Sequence, residues 1–137
     1  MQTDFVIRTR GPGLYEFTRD VADWVTGQPG GLVTLLIQHT SASLLIQENA
    51  DPDVQADLLA WLQRFVPDAN APEFTYLRHR SEGPDDMPAH IKASVLPVSL
   101  QIPVQNGRLR LGTWQGIYLF EHRSAPHIRR VAAHFAN

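Results

Sequence analysis

The side chains best suited to chemistry are crowded into Tyr76 to Lys92, which holds two imidazoles (His79, His90), three carboxylates (Glu82, Asp85, Asp86) and the chain's only lysine. A divalent ion such as Zn²⁺ accepts histidine nitrogen and carboxylate oxygen at about 2.0–2.2 Å, and a catalytic site needs three protein ligands with one position left open. His79, His90 and the distant His39 would make that count. No two of these three are spaced i, i+4, so the pattern is not that of a helix-borne zinc motif. Gly83, Pro84 and Pro88 restrict the intervening backbone, which serves a fixed, ligand-converging loop and a solvated acidic loop alike.

Three further stretches stand where elements are expected to end. His39-Thr40-Ser41-Ala42-Ser43 follows the most apolar run of the chain, and a rigid strand that delivers an imidazole and two hydroxyls is a common way to position a site. A turn whose hydroxyls satisfy local backbone groups uses the same residues. In Gln47-Glu48-Asn49-Ala50-Asp51, Asp51 suits capping, while Glu48 is placed to act as a general base, to bind a cation or simply to meet water. Gly112-Thr113-Trp114-Gln115-Gly116 can bring backbone N–H groups to a ligand beside an aromatic wall, or be a hairpin connection over one packed aromatic. His122 can face the same space; His127 and His134 read as peripheral. Arginine supplies eleven of the twelve basic residues, and its bidentate fork makes a phosphorylated small molecule a reasonable ligand. The alternation in Arg108-Leu109-Arg110-Leu111 also fits a solvated strand face.

Composition narrows the classes. A chain of 137 residues, 43% hydrophobic, is enough for one domain, residues 1–137, with a modest core. A formal net charge of −2 provides no general field for a polyanion, so nucleic acid is not an expected partner. With no cysteine, disulfides, thiol nucleophiles and Cys-ligated metals are excluded. Leu32 to Ile37, the most apolar run, is far short of the roughly 20 residues that span a bilayer. The first residues lack the apolar stretch of about 7–15 that a secretory signal requires. No membrane association and a cytoplasmic location are therefore the expectations.

The elements that must position these residues are mostly strands. Phe5 to Thr9 and Leu14 to Phe17 flank the turn cluster Gly11-Pro12-Gly13. Thr18 is a candidate cap for a short helix with Val21, Trp24 and Val25 on one face. Leu32 to Gln38 reads as a buried strand and Ser43 to Gln47 as the next. Asp51 as N-cap, Pro52 at the first helical position and Asp53 near the positive dipole end announce the clearest helix. Its apolar face would be Val54, Leu58, Trp61, Leu62 and Phe65, ending at Pro67. Asn106-Gly107 tolerates the positive φ of a type I′ turn between Ser99–Val104 and Arg108–Leu111, with Pro103 placing its strand at an edge or bulge. Gly116 to Arg123 and Ile128 to Phe135 are the last strands. Seven or more strands with two or three short helices predict an α+β fold built on an antiparallel β-sandwich core or a strongly curved antiparallel sheet.

Taken together, four stretches resemble the YjbQ family, whose members are called secondary thiamine-phosphate synthases. His39-Thr40-Ser41-Ala42 resembles the family's H-T-[ST]-A, and Glu48-Asn49-Ala50-Asp51-Pro52-Asp53-Val54 resembles its E-N-x-D-P-x-V segment. His79 with Glu82-Gly83-Pro84-Asp85-Asp86-Met87-Pro88-Ala89-His90-Ile91-Lys92 resembles its H-x-x-E-G-x-D-D-M-P-A-H-I-K signature. Ser99 to Val104, followed by Gly107, Leu109 and Leu111 to Ile117, resembles its closing S-L-x-I-P-V…G-x-L-x-L-G-T-W-Q-G-I pattern.

The resemblance implies an α+β fold, a homotrimer and a polar pocket whose histidines can hold a divalent ion, zinc or magnesium. It also implies weak synthesis of thiamine phosphate from hydroxymethylpyrimidine diphosphate and a thiazole phosphate, with release of pyrophosphate. For that reaction the expected metal ligands are His39, His79 and His90, with Glu48 and Asp85 as acid/base or supporting groups. Thr40, Ser41, Asn49, Lys92, Thr113 and Gln115 would position phosphate or ring atoms. Two rivals stand beside it. One is a non-catalytic trimer that binds metal or a phosphorylated small molecule. The other is a hydrolase, metal-dependent or using Ser41 with His39 or His79, although Gly-x-Ser-x-Gly is absent.

Overall fold

Alternating apolar positions can all be buried only if two sheets face each other, and that is the arrangement found in a computed structural model describing residues 1–137. The first sheet is antiparallel, in the order β1 (Gln2–Thr9), β8 (His127–Ala136), β3 (Gly30–Ile37), β5 (Ser99–Gln105), β6 (Arg108–Leu109). The second has the order β2 (Gly13–Glu16), β7 (Gln115–Glu121), β4 (Ala42–Glu48). Between them lies one apolar core, to which Val33, Leu35, Ile102, Val131 and Phe135 contribute from the first sheet and Leu44, Ile117 and Leu119 from the second. Three helices complete the α+β fold: α1 (Thr18–Trp24), α2 (Pro52–Phe65) and α3 (Asp86–Val95), with a single 3₁₀ turn at Pro72–Phe74. No helix is long and apolar enough to cross a membrane.

Several local expectations hold for the stated reasons. Asn106 (φ 52°) and Gly107 (φ 71°) both take positive φ at the β5–β6 turn, as a type I′ hairpin demands. Asp51 caps α2 by accepting from Asp53 N at 2.9 Å. Pro103 is tolerated because β6 covers only the end of β5. Its carbonyl accepts from Arg110 N at 2.8 Å, so the side on which it lacks an N–H is nearly an edge.

Three expectations need correction. Thr18 is the first residue of α1 rather than its cap; its hydroxyl donates to Glu16 at 2.7 Å and accepts from Ile117 N at 2.8 Å, tying the helix to β7. On α2 the expected apolar stripe is buried only at Leu62; Trp61 (56% exposed) and Phe65 (58% exposed) stack on each other at the surface instead. The third concerns Asp86 to Lys92, expected as part of a fixed loop, which is the helix α3. Pro88 is no obstacle there, because the N–H groups of a first helical turn have no intrahelical acceptor to lose.

One ion pair joins the two sheets through the core. Arg129 of β8 donates from Nε to Glu121 of β7 at 2.8 Å and also through Nη2, and Thr9 of β1 donates to the same carboxylate at 2.6 Å. Glu121 is fully buried and Arg129 nearly so. Arg129→Met strands a buried carboxylate and is expected to cost about 3–5 kcal/mol, seen as a lower urea midpoint at neutral pH. The double variant Glu121→Leu/Arg129→Met should recover part of that loss.

Candidate metal centre and adjoining cavity

The sandwich brings together residues from three separate segments at one end. His79, in the connection before α3, lies with its Nε2 2.6 Å from Asp86 Oδ2, and His90 Nε2 lies 3.2 Å from the same oxygen. Asp86 and His90 are one turn apart on α3, a spacing that puts both on one face. One ligand atom from each of the three residues falls within 4.8 Å of the others, close enough to share an ion. The other carboxylate oxygen of Asp86 receives Arg123 Nη1 at 2.6 Å. Burial raises the Asp86 pKa, but the hydrogen bond from His79 and the charge of Arg123 outweigh it, and the carboxyl is held below its ordinary value.

The orientation of His90 is informative. Its Nδ1 lies 2.9 Å from the carbonyl oxygen of Thr40. A carbonyl only accepts, so Nδ1 carries the proton and a neutral ring has its lone pair on Nε2, facing the Asp86 carboxylate. Two electron-rich atoms at that separation require a proton or a cation between them. A ring N–H anchored on a backbone carbonyl is also the usual support of a metal-bound histidine.

The fold scatters the remaining sequence candidates. His39 is not part of the three-residue group: its Nε2 accepts from Arg130 N at 2.8 Å. Burial, reinforced by Arg129, lowers its pKa, as befits a ring held neutral to accept that bond. Thr40 contributes through its carbonyl rather than its hydroxyl. Ser41 is buried with its hydroxyl accepting from Arg129 Nη2 at 3.0 Å and has no imidazole partner, so it lacks the base a serine nucleophile needs. Asp85 adjoins the centre, but its Oδ2 is engaged by Arg123 Nε and Ser124 N, each at 2.9 Å; it positions Arg123 rather than facing the imidazoles.

Glu48, Asn49, Thr113 and Gln115 do form a group, but elsewhere. Glu48 pairs with Gln115 at the far end of the β4–β7 ladder. Glu48 lies six positions beyond Ala42 at the near end, which at strand rise is about 20 Å. There Glu48 accepts from Asp51 N at 3.2 Å, Gln115 closes its own loop by accepting from Gly112 N at 2.7 Å, and Asn49 N donates to Trp114 O at 2.9 Å. Within the chain these are the connections that start α2 and β7, not neighbours of the imidazoles.

Asp86 stands among the carboxylates of the sequence and Arg123 among its arginines, but the sequence assigns neither a place at the metal site. The i, i+4 spacing of Asp86 and His90 is a helix signal that a loop over the same segment hides. His122 was expected beside the Gly112–Gly116 loop; it lies at the opposite end of β7. There it is 3% exposed and its Nε2 lies 2.8 Å from Ser43 Oγ. Together with Lys92 and Asp85 it lines a cavity of about 240 Å³ next to the metal-ligand group.

Burial, then the positive charges of Lys92 and Arg129, push the His122 pKa down to about 3, against a smaller opposing effect of Glu121. In the unfolded chain the imidazole gains its proton near 6.5. The folded protein's advantage is therefore complete above that pH and lost progressively as pH falls from about 6.5 toward about 3. Between pH 7 and pH 5 this group alone is expected to remove about 2 kcal/mol of stability. Urea titrations at the two pH values check it, and His122→Asn should lack that component.

Similar sequences and the same fold occur in known proteins. A family model described as UPF0047 protein YjbQ-like matches residues 3–137. UPF0047 protein sll1880 of Synechocystis is 47% identical over 135 residues, covering 97% of this chain and 89% of the relative. UPF0047 protein YjbQ of Salmonella typhimurium is 46% identical, covering 96% and 94%. Among solved structures, an uncharacterized conserved protein of the yjbq/upf0047 family from Clostridium acetobutylicum superposes with a TM-score of 0.85 at 34% identity, over 98% of this chain and 99% of that one. The conserved hypothetical protein TT1486 of Thermus thermophilus does so with the same score, identity and coverage. With a family model spanning nearly its whole length and relatives approaching half identity, the chain belongs to the YjbQ-like UPF0047 family.

Proposed function

We propose that the chain is a divalent-metal-dependent enzyme acting on a phosphorylated small molecule, and that it joins hydroxymethylpyrimidine diphosphate to thiazole phosphate to give thiamine phosphate and pyrophosphate. The observation that carries the metal reading is the His90 ring, whose Nδ1–H is taken by the Thr40 carbonyl while its Nε2 faces Asp86 Oδ2. His79, Asp86 and His90 would hold the ion. The choice of reaction is supported by the resemblance of the four motifs to proteins called secondary thiamine-phosphate synthases.

The chain's own residues supply the rest of the site. Arg123 keeps Asp86 anionic, so the three ligands offer one negative charge and two nitrogen donors. Asp85 fixes Arg123 from the other side. When bound, a divalent ion stabilises the negative charge that grows on the departing diphosphate. The reaction itself breaks the bond between the pyrimidine methylene and the diphosphate oxygen and forms one from that carbon to the thiazole nitrogen. Lys92 lies on the same helix and meets phosphate oxygens.

Protein purified without added metal should retain one divalent ion per chain by elemental analysis. Asp86→Asn and His90→Ala, checked for folding, should each retain it at least about tenfold less tightly and lose product formation from the two substrates. Unchanged metal content in both variants would remove the metal reading. Metal retained without product would remove the synthase and leave a metal-binding protein. The family resemblance also supports a homotrimer, for which light scattering should give about three times the 15.4 kDa chain mass.

A further inference from the structure

The cavity beside α3 has features that the metal ligands do not use. On a helix at roughly 100° per residue, Asp85, Pro88 and Lys92 share one stripe, while Asp86 and His90 share another well round the axis. The cavity lies against the first stripe and is closed by His122 and Ser124, which follow β7, and by Gln63 and Asp68 at and beyond the end of α2.

Two of its groups are buried and incompletely bonded. Lys92 is 8% exposed and makes neither an ion pair nor a hydrogen bond. The Nδ1 atom of His122 is buried with no partner. Its proton can be placed from Ser43, which is fully buried and whose hydroxyl has the His122 Nε2 as its partner. A buried hydroxyl must donate, so Nε2 accepts and the neutral ring carries its proton on Nδ1. Burial, with Lys92 beside it, keeps the ring neutral. The cavity wall therefore carries an ammonium and an imidazole whose covered N–H has no partner, both donors and both unanswered. Of its two carboxylates, Asp85 already accepts from Arg123 and Ser124 N. Asp68, at the exposed rim, accepts from Asn70 N at 2.9 Å; it is the group that opposes an incoming anion.

We propose that this cavity is an oxyanion site, in which Lys92 and His122 Nδ1–H hold the phosphoryl group of a small molecule apart from the metal ligands. The choice of phosphoryl among oxyanions rests on the phosphorylated-substrate reading; the anion site itself needs no metal. His122 enters as a binding residue for which the four motifs offered no role. Ser43 acts through it, by fixing the tautomer.

The test is a titration of the full-length, metal-stripped protein with inorganic phosphate at low ionic strength, followed by ³¹P NMR and by the side-chain ¹⁵N resonances of His122. Saturable binding with a shift of the His122 Nδ1 resonance is expected. Lys92→Met should weaken it at least about tenfold, Asp68→Asn should tighten it several-fold by removing the opposing charge, and His79→Ala should leave it within about twofold. Acetate in place of phosphate should bind at least about tenfold more weakly; equal affinity would overturn the phosphoryl assignment. Absence of saturable binding, an unmoved His122 resonance, or equal affinity in a folded Lys92→Met protein overturns the site. Should Lys92→Met not fold, unchanged affinity in Asp68→Asn overturns it instead. Loss of binding in His79→Ala would place the phosphate at the imidazoles. Because no metal is present, these outcomes are independent of whether the metal reading survives.

Discussion

The buried contact between Glu121 and Arg129 is the constraint from which the rest of the site follows. A carboxylate with no exposure has to be matched by donors on every side, and Glu121 obtains them from β8 (Arg129), from β1 (Thr9) and from its own chain just downstream. The backbone N–H groups of His122 and Arg123 both donate to Glu121 Oε2, at 3.0 and 3.1 Å. The bend of the chain after β7 is thus dictated by a buried charge. That bend sends Arg123 to Asp85 and Asp86 and places the His122 ring against Ser43. Arg129 meanwhile holds Ser41 through its hydroxyl and its carbonyl, which fixes the residue next to the Thr40 carbonyl that orients His90. One ion pair across the sandwich therefore sets the cation, the imidazole and the carbonyl around which α3 docks.

Helix α3 then acts as a partition. Its first residue, Asp86, is drawn in by Arg123 and faces the imidazoles. Asp85, at the N-cap position, makes no capping hydrogen bond with its side chain because its Oδ2 is committed to Arg123 and Ser124. Two adjacent carboxylates thus clamp one guanidinium and leave the helix by different faces. The charge balance differs between the two sides: a carboxylate with two imidazoles suits a cation, whereas an ammonium with an imidazole N–H suits an anion. Under the proposed function, these two well-separated faces of one helix would hold a metal-bound leaving group and a second phosphate at once.

Much of this was readable in advance, and the exceptions have physical causes. The capping of α2 by Asp51, the Asn106-Gly107 turn and the strand over Ile128 to Phe135 depend on neighbours within a few residues, and they formed as expected. Trp61 and Phe65 show where such patterns stop. They have the spacing of a packing face, yet periodicity does not say what faces it, and they stack on each other in the open. Gly83, Pro84 and Pro88 read as restraints on a loop, but Pro88 stands in a first helical turn where its missing N–H costs little. That misreading hid the pairing of Asp86 with His90.

The residue types alone determined the α+β sandwich, the family and the inventory of donors: imidazoles, carboxylates and one lysine, with no thiol. Which of them meet was decided only by the tertiary structure. His39 and His90 carry the same side chain, but the first gives its Nε2 lone pair to the Arg130 amide while the second turns its Nε2 toward Asp86 Oδ2. Glu48 and Asp86 are both carboxylates beside a helix start, but one lies at the far end of a strand about 20 Å long and the other under Arg123. Sequence spacing reports on turns and faces because those arise from contacts a few residues apart. Convergence of Thr40, His79, Asp86, His90, His122 and Arg123 depends on how two sheets stack and which buried charge bends the chain between them, and local spacing carries no record of that.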